Sequence, residues 1–169
     1  MILTRGWRDM RTMKLLFAET EAEADRLSDR EPGAEHLLLA SFSLPDGTSR
    51  RVFERLGSNR DALREAISRV HRDALAAAGI GDTTPFDDTA SVDTAPSRPR
   101  TGPLNLSAPA REAFREATAV AKAGRRPFTG ADIVRAVAEI EHGTAARALE
   151  TLGLERSTVI DAARAEAEA

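Results

Sequence analysis

GTSRRVFERLG, residues Gly47 to Gly57, returns 96 residues later as GTAARALETLG, Gly143 to Gly153. Each copy opens on Gly-Thr, carries apolar residues at helical spacing and closes on Leu-Gly, a helix stop signal. The likeness continues upstream. Phe17–Gly33 aligns with Phe114–Gly130 at an offset of 97, and GAEHLLLASF, from Gly33, falls on GADIVRAVAE, from Gly130. Both halves then share one order: long helix, Gly-Ala-acid helix, Gly-Thr helix, Leu-Gly stop, final helix. The chain reads as a duplicated four-helix unit.

Composition agrees with an all-α fold. Of 169 residues, 41% are hydrophobic and only 4% aromatic. Alanine, leucine, arginine and glutamate, strong helix formers, dominate over β-branched residues. Met13, Leu16, Phe17, Thr20, Ala24 and Leu27 trace the stripe of an amphipathic first helix. GAEHLLLASF predicts a short buried helix, and Val52, Phe53 and Leu56 mark a third that stops at Gly57. Ser58 with Asp61 three residues on predicts the N-cap of a fourth, running towards Ala78.

From Gly79 to Pro103, Gly, Pro, Ser, Thr and Asp prevail, and half of the eight prolines lie there. Such a segment cannot bury enough apolar surface to offset its ordering entropy, so a flexible linker is expected. The expected organisation is a single unit, 1–169, with repeat one at about 9–78, the linker at about 79–105 and repeat two at about 106–168.

A net charge of −3 offers no global attraction for nucleic acid. Without cysteine there is no disulfide, thiolate nucleophile or cysteine-held zinc. No apolar run approaches membrane-spanning length, and MILTRGWRDM lacks the core of a signal peptide, so a cytoplasmic protein is expected. No Gly-x-x-x-x-Gly-Lys-Ser/Thr phosphate loop occurs. His71-Arg72-Asp73 has the letters of a kinase loop, but Ala78 stands where that loop needs asparagine. Glu141-His142 has no second histidine at ligand spacing. Arg50, Arg51 and Arg55, with Glu54 among them, form a basic face expected to be solvated. No nucleophile–base or metal constellation is seen, so neither enzymatic activity nor a cofactor is expected.

Glu35-His36 is the one pair that invites a catalytic or metal-binding interpretation. The duplication divides it: Glu35 becomes Asp132, another acid, whereas His36 becomes Ile133. The acid is the retained chemistry, and His36 is expected to be a satisfied or half-buried histidine rather than a ligand.

Gly-x-Glu-His-Leu-Leu-Leu-Ala, then Gly-Thr, then an amphipathic turn closing in Leu-Gly, resembles the Clp N-terminal repeat. Hsp100 (Clp) unfoldases carry that repeat ahead of their ATPase modules. The likeness spans residues 9 to 168 apart from the linker, with LSAPAREAFREA through RRPFTGAD as the second copy. It implies eight helices in two pseudo-two-fold-related bundles forming one unit, here as a free-standing N-domain.

The resemblance also implies one phosphoarginine-type site per repeat, at Gly33-Ala34-Glu35 and Gly130-Ala131-Asp132. Alanine replaces the family's threonine in both. A carboxylate can grip a guanidinium group through paired charge-assisted hydrogen bonds, and the amides of a helix N-terminus suit a phosphate. An acid in a first turn also stabilises the helix macrodipole without a ligand, which is the competing explanation for both. By the same resemblance, apolar residues near the start of each repeat dock adaptors, unfolded segments or cyclic peptides; Trp7, Met10 and Leu106 hold those places. The function implied is a non-enzymatic, monomeric peptide- or protein-binding module beside Clp ATPase or protease components, their substrates and adaptors. The alternative is a helical regulatory or scaffold protein that has kept the fold and lost the binding.

Overall fold

The computed structural model describes residues 2–79 and 105–169, with side chains from residue 9 onward. Among them are eight helices and no strand: α1 (Ile2–Arg26), α2 (Ala34–Ser41), α3 (Thr48–Arg55), α4 (Arg60–Ala77), α5 (Ala108–Ala123), α6 (Gly130–Ala138), α7 (Thr144–Thr151) and α8 (Arg156–Ala167). The expected linker lies, but for its end residues, outside this range. The four-helix order repeats as the sequence alignment requires.

The repeat extends to individual backbone bonds. At the end of α1, Asp29 N–H donates to Ala24 O and Ser28 N–H to Asp25 O; at the end of α5, Arg126 N–H donates to Ala121 O and Arg125 N–H to Lys122 O. Ser28 and Arg125 are the residues forced into the left-handed region, at φ 61° and 52°. The same double bond closes α3 at Gly57 and α7 at Gly153, where φ is 71° and 68° and the missing Cβ makes the turn easy. The start of α4 departs from expectation by one residue. Asn59, not Ser58, is its N-cap, and Asn59 Oδ1 accepts from Ala62 N–H at 2.9 Å.

The repeats do not form two self-contained bundles. Helix α3 packs on α8 and α4 on α7, each a contact across the duplication, while α2 and α6 meet in the centre. Helix α2 suits that position because it is apolar almost all round: Leu37, Leu38, Leu39 and Ala40 are all buried. The Phe17 and Phe114 rings meet edge-on with centroids 4.8 Å apart. Equivalent residues of two repeats can touch only near the axis that relates them, so this pair marks the pseudo-two-fold. The two are not equally buried: Phe17 is 8% exposed, whereas Phe114 is half-buried against the core. Leu56 and Leu152 are also both half-buried.

On α5 the buried stripe is Ala110, Ala113, Ala117 and Ala121, where α1 carries Met13, Leu16, Thr20 and Ala24. Two ion clusters tie the helices from outside. Glu23 of α1, fully buried, accepts from Arg26, Arg60 and Arg64. Glu166 of α8, also buried, accepts from Arg51 and Arg55 of α3. Arg51 and Arg55 are thus half-exposed clamps across the repeats, not a free basic face.

Candidate functional site

The two Gly-Ala-acid turns share a sequence alignment but not a helix start. Helix α2 begins at Ala34 with Gly33 as N-cap; α6 begins at Gly130 with Thr129 as N-cap. Relative to the aligned residues, α6 starts one residue earlier. Glu35 is therefore the second residue of its helix, and Asp132 the third.

That slip decides what each acid does. Asp132, 1% exposed, accepts from Thr129 N–H at 2.9 Å and from the Thr129 hydroxyl at 3.0 Å. This is the acid half of a capping box. Arg126 closes on the same carboxylate with both amino groups, Nη1 to Oδ2 at 2.8 Å and Nη2 to Oδ1 at 2.5 Å. A guanidinium already sits where a ligand's guanidinium would have to sit. The hydrogen bonds that Arg126 donates to Asp132, working against burial, hold it above its ordinary pKa.

The amides of α6 are taken as well. Gly130 N–H points at the Asp46 carboxylate, at 3.2 and 3.3 Å, and Ala131 N–H donates to Thr48 Oγ1 at 2.7 Å. Thr48 in turn donates to Asp46. A Cβ on Gly130 would stand 2.3 Å from Ser49 Oγ and 3.1 Å from Ser41 O, so only glycine fits against the α2–α3 corner. Gly130, Ala131 and Asp132 thus join the two repeats, with their polar groups engaged inside the protein. Asp132→Ala should cost about 2–3 kcal/mol of stability in a denaturant titration, because it removes a cap and unpairs Arg126.

Repeat one is built otherwise. Pro32 stands where Thr129 does and has no N–H to offer an acid. The cap falls to His36, whose Nδ1 accepts from Gly33 N–H at 2.8 Å inside a fully buried pocket. His36 is thus the third-residue cap of α2, as Asp132 is of α6. The expectation of a satisfied or half-buried histidine is met at Nδ1, and the ring is fully buried.

Freed of capping, the Glu35 carboxylate folds over Gly33, with its oxygens 2.5 and 2.7 Å from where a Cβ would be. Its side chain is 14% exposed, and its Oε1 lies 3.7 Å from His36 Nδ1. The other face of the imidazole meets Asp29: His36 Nε2 lies 3.0 Å from Asp29 Oδ2, and His71 Nδ1 of α4 is 3.7 Å from the same oxygen. Neither His36 Nε2 nor Asp29 Oδ2 has an aligned hydrogen bond. Burial keeps His36 below its usual pKa, against the pull of Glu35 and Asp29. One donor atom each of Asp29, Glu35 and His71 fall within 4.8 Å of one another, a spacing at which a small cation or a guanidinium could be shared. No sequence spacing announces this group, because a loop, α2 and α4 each supply one member.

Ala34 is buried, at 6% exposure. Of the expected docking residues, Met10 is on the surface at 69% exposure. Leu106 is not: at 2% exposure it is part of the core. The Trp7 side chain lies outside the described residues. Among the described residues, no helix is long and apolar enough to cross a membrane.

A search among curated protein sequences finds no match. Among solved structures, the N-terminal domain of the caseinolytic protease associated chaperone ClpD from Arabidopsis thaliana superposes with a TM-score of 0.60 at 20% identity, covering 94% of this chain and 93% of that one. At that identity the match speaks for the fold. The sequence profile of the Clp repeat (R) N-terminal domain matches residues 11–152, taking in both Gly-Ala-acid turns and both Gly-Thr helices. With its eight helices in that arrangement, the chain belongs to the Clp repeat N-terminal domain family.

Proposed function

We propose that the protein is a non-enzymatic peptide- or protein-binding module working beside a Clp chaperone–protease, with one ligand contact, in repeat one. The observation that carries this is the asymmetry of the two acids. Asp132 is saturated by Arg126 and Thr129, whereas no hydrogen bond to the Glu35 carboxylate is made among the described residues. Glu35, at the start of α2 with Asp29 and His71 beside it, is placed to accept from a cationic or zwitterionic group such as a guanidinium or phosphoguanidinium.

Titration calorimetry with phosphoarginine and with arginine-containing peptides tests this. One site per chain is expected. Glu35→Gln should weaken binding by roughly 1.5–3 kcal/mol, since a charge-assisted hydrogen bond becomes a neutral one. Conservative Asp132→Asn should leave affinity unchanged. Two equivalent sites, or full affinity in Glu35→Gln, would reject the assignment. Absence of all binding would favour a second reading, a scaffold that keeps the fold alone; the internal occupation of the repeat-two turn is what supports it.

A further inference from the structure

The turns that close α1 and α5 share one backbone, but equivalent residues in them carry opposite charge. Asp29 N–H donates to Ala24 O where Arg126 N–H donates to Ala121 O, so Asp29 and Arg126 hold the same place. In repeat two the Arg126 guanidinium neutralises Asp132, with Nη1 2.8 Å from Oδ2. In repeat one the arginine gives way to Asp29 while the aligned acid, Glu35, is kept. Two carboxylates therefore stand where the other repeat has an ion pair. Among the described residues neither pairs with an arginine or a lysine; their ion-pair contacts are with His36 and His71. His71 is also peculiar to repeat one, since the offset of 96 that relates α3 to α7 sets Ala167 in its place.

We propose that Asp29, Glu35 and His71 form a binding site for one divalent transition-metal ion of the zinc class, supplying in repeat one the positive charge that Arg126 supplies in repeat two. His71 Nδ1 lies 3.7 Å from Asp29 Oδ2, and one donor atom of each of the three residues falls within 4.8 Å of the others. Ligands of a tetrahedral zinc stand roughly 3.3–3.5 Å apart, so a small swing of the Glu35 side chain completes three of four positions and leaves the last to water. The buried His36 ring is aimed into the same group. Its Nε2 is 3.0 Å from Asp29 Oδ2, and neither atom has an aligned hydrogen bond, a costly arrangement for buried polar atoms. His36 Nδ1 accepts from Gly33 N–H, so the proton of the neutral ring sits on Nε2. That nitrogen is not free to ligate an ion. It is placed instead to steady the Asp29 carboxylate from behind, as outer partners of metal ligands do. An imidazole beside two carboxylates favours a zinc-like ion over magnesium or calcium, which take oxygen ligands. All three ligand side chains are partly exposed, so an ion can enter from solvent. The site shares Glu35 with the function proposed above but requires no peptide.

Calorimetric titration of zinc chloride into tag-free protein, stripped with a chelator and dialysed, tests this. No arginine or peptide is present, and the phosphoarginine titration is run with chelator, so each result stands apart from the other. One zinc ion per chain is expected, shifting the side-chain nitrogen NMR signals of His71 and not those of His142. Zinc should also raise the melting temperature, because it binds the folded chain. Asp29→Asn and His71→Ala should each weaken binding at least about tenfold, since even the outer partners of metal ligands are worth ten- to hundredfold, and should shrink the rise in melting temperature. His142→Ala, on an exposed loop, should bind zinc as the parent does. Magnesium should bind more weakly than zinc. No zinc binding at about 1 mM, undiminished affinity in Asp29→Asn and His71→Ala, signal changes centred on His142, or tighter binding of magnesium would each overturn the proposal.

Discussion

Phe17→Ala should lower the unfolding free energy by about 3–4 kcal/mol, the range for emptying a nearly buried aromatic site. The ring is 8% exposed and abuts Phe114 on the pseudo-axis, where neither repeat can close the gap without moving the other. Phe114→Ala should cost less, about 2 kcal/mol, because that ring is half-buried. A double-mutant cycle should return a coupling of about 0.5–1.5 kcal/mol for the edge-on pair. Urea titrations showing equal costs for the two, or no coupling, would contradict the placement of the axis.

Glu23→Gln should cost about 3 kcal/mol, through a different mechanism. Its carboxylate is fully buried and takes hydrogen bonds from arginines on two helices, so neutralising it leaves Arg60 and Arg64 without their counter-charge. Both arginines remain about one-third exposed and can reach water, which keeps the loss at the lower end of the range for broken buried pairs. Burial alone would raise the Glu23 pKa. The hydrogen bonds and charges of Arg64 and Arg60 outweigh it, and the carboxyl is held below its usual value of 4.5. A depressed folded-state pKa gives stability that is present above 4.5 and lost as pH falls through the folded value. The wild-type protein should therefore lose stability on acidification below that point more steeply than Glu23→Gln. Parallel pH profiles for the two proteins would remove Glu23 from the explanation.

How far the sequence alone reaches depends on which force acts. The helices, their order and the Phe17–Phe114 equivalence follow from apolar spacing and self-alignment, which are local properties. The burial of Leu106 was not legible, because position near a helix start does not reveal whether the chain turns inward. Glu23 falls between Thr20 and Leu27 on the apolar face of α1; its register was the available signal for a buried, paired acid. The differing fates of Glu35 and Asp132 rest on Pro32 aligning with Thr129, one with an amide hydrogen and one without. That difference is written in the sequence, yet it gains meaning only once the helix starts are located to a single residue. The Asp29–His71 approach joins residues brought together by α4, beyond any local pattern.

The exchange of partners, α3 on α8 and α4 on α7, makes the repeat a poor unit of folding. A single four-helix copy would lose the α3–α8 and α4–α7 packing, so it could restore those contacts only by pairing with another copy. Covalent duplication turns that second-order encounter into an intramolecular one at high effective concentration, independent of how dilute the protein is. It also lifts the demand of self-complementarity that a symmetric pair imposes on every residue at the axis. Once the two halves are no longer bound to be identical, one copy can spend its acid on holding the joint while the acid of the other makes no hydrogen bond among the described residues. Fusion is thus the step that allows division of labour between two ends of one symmetric plan.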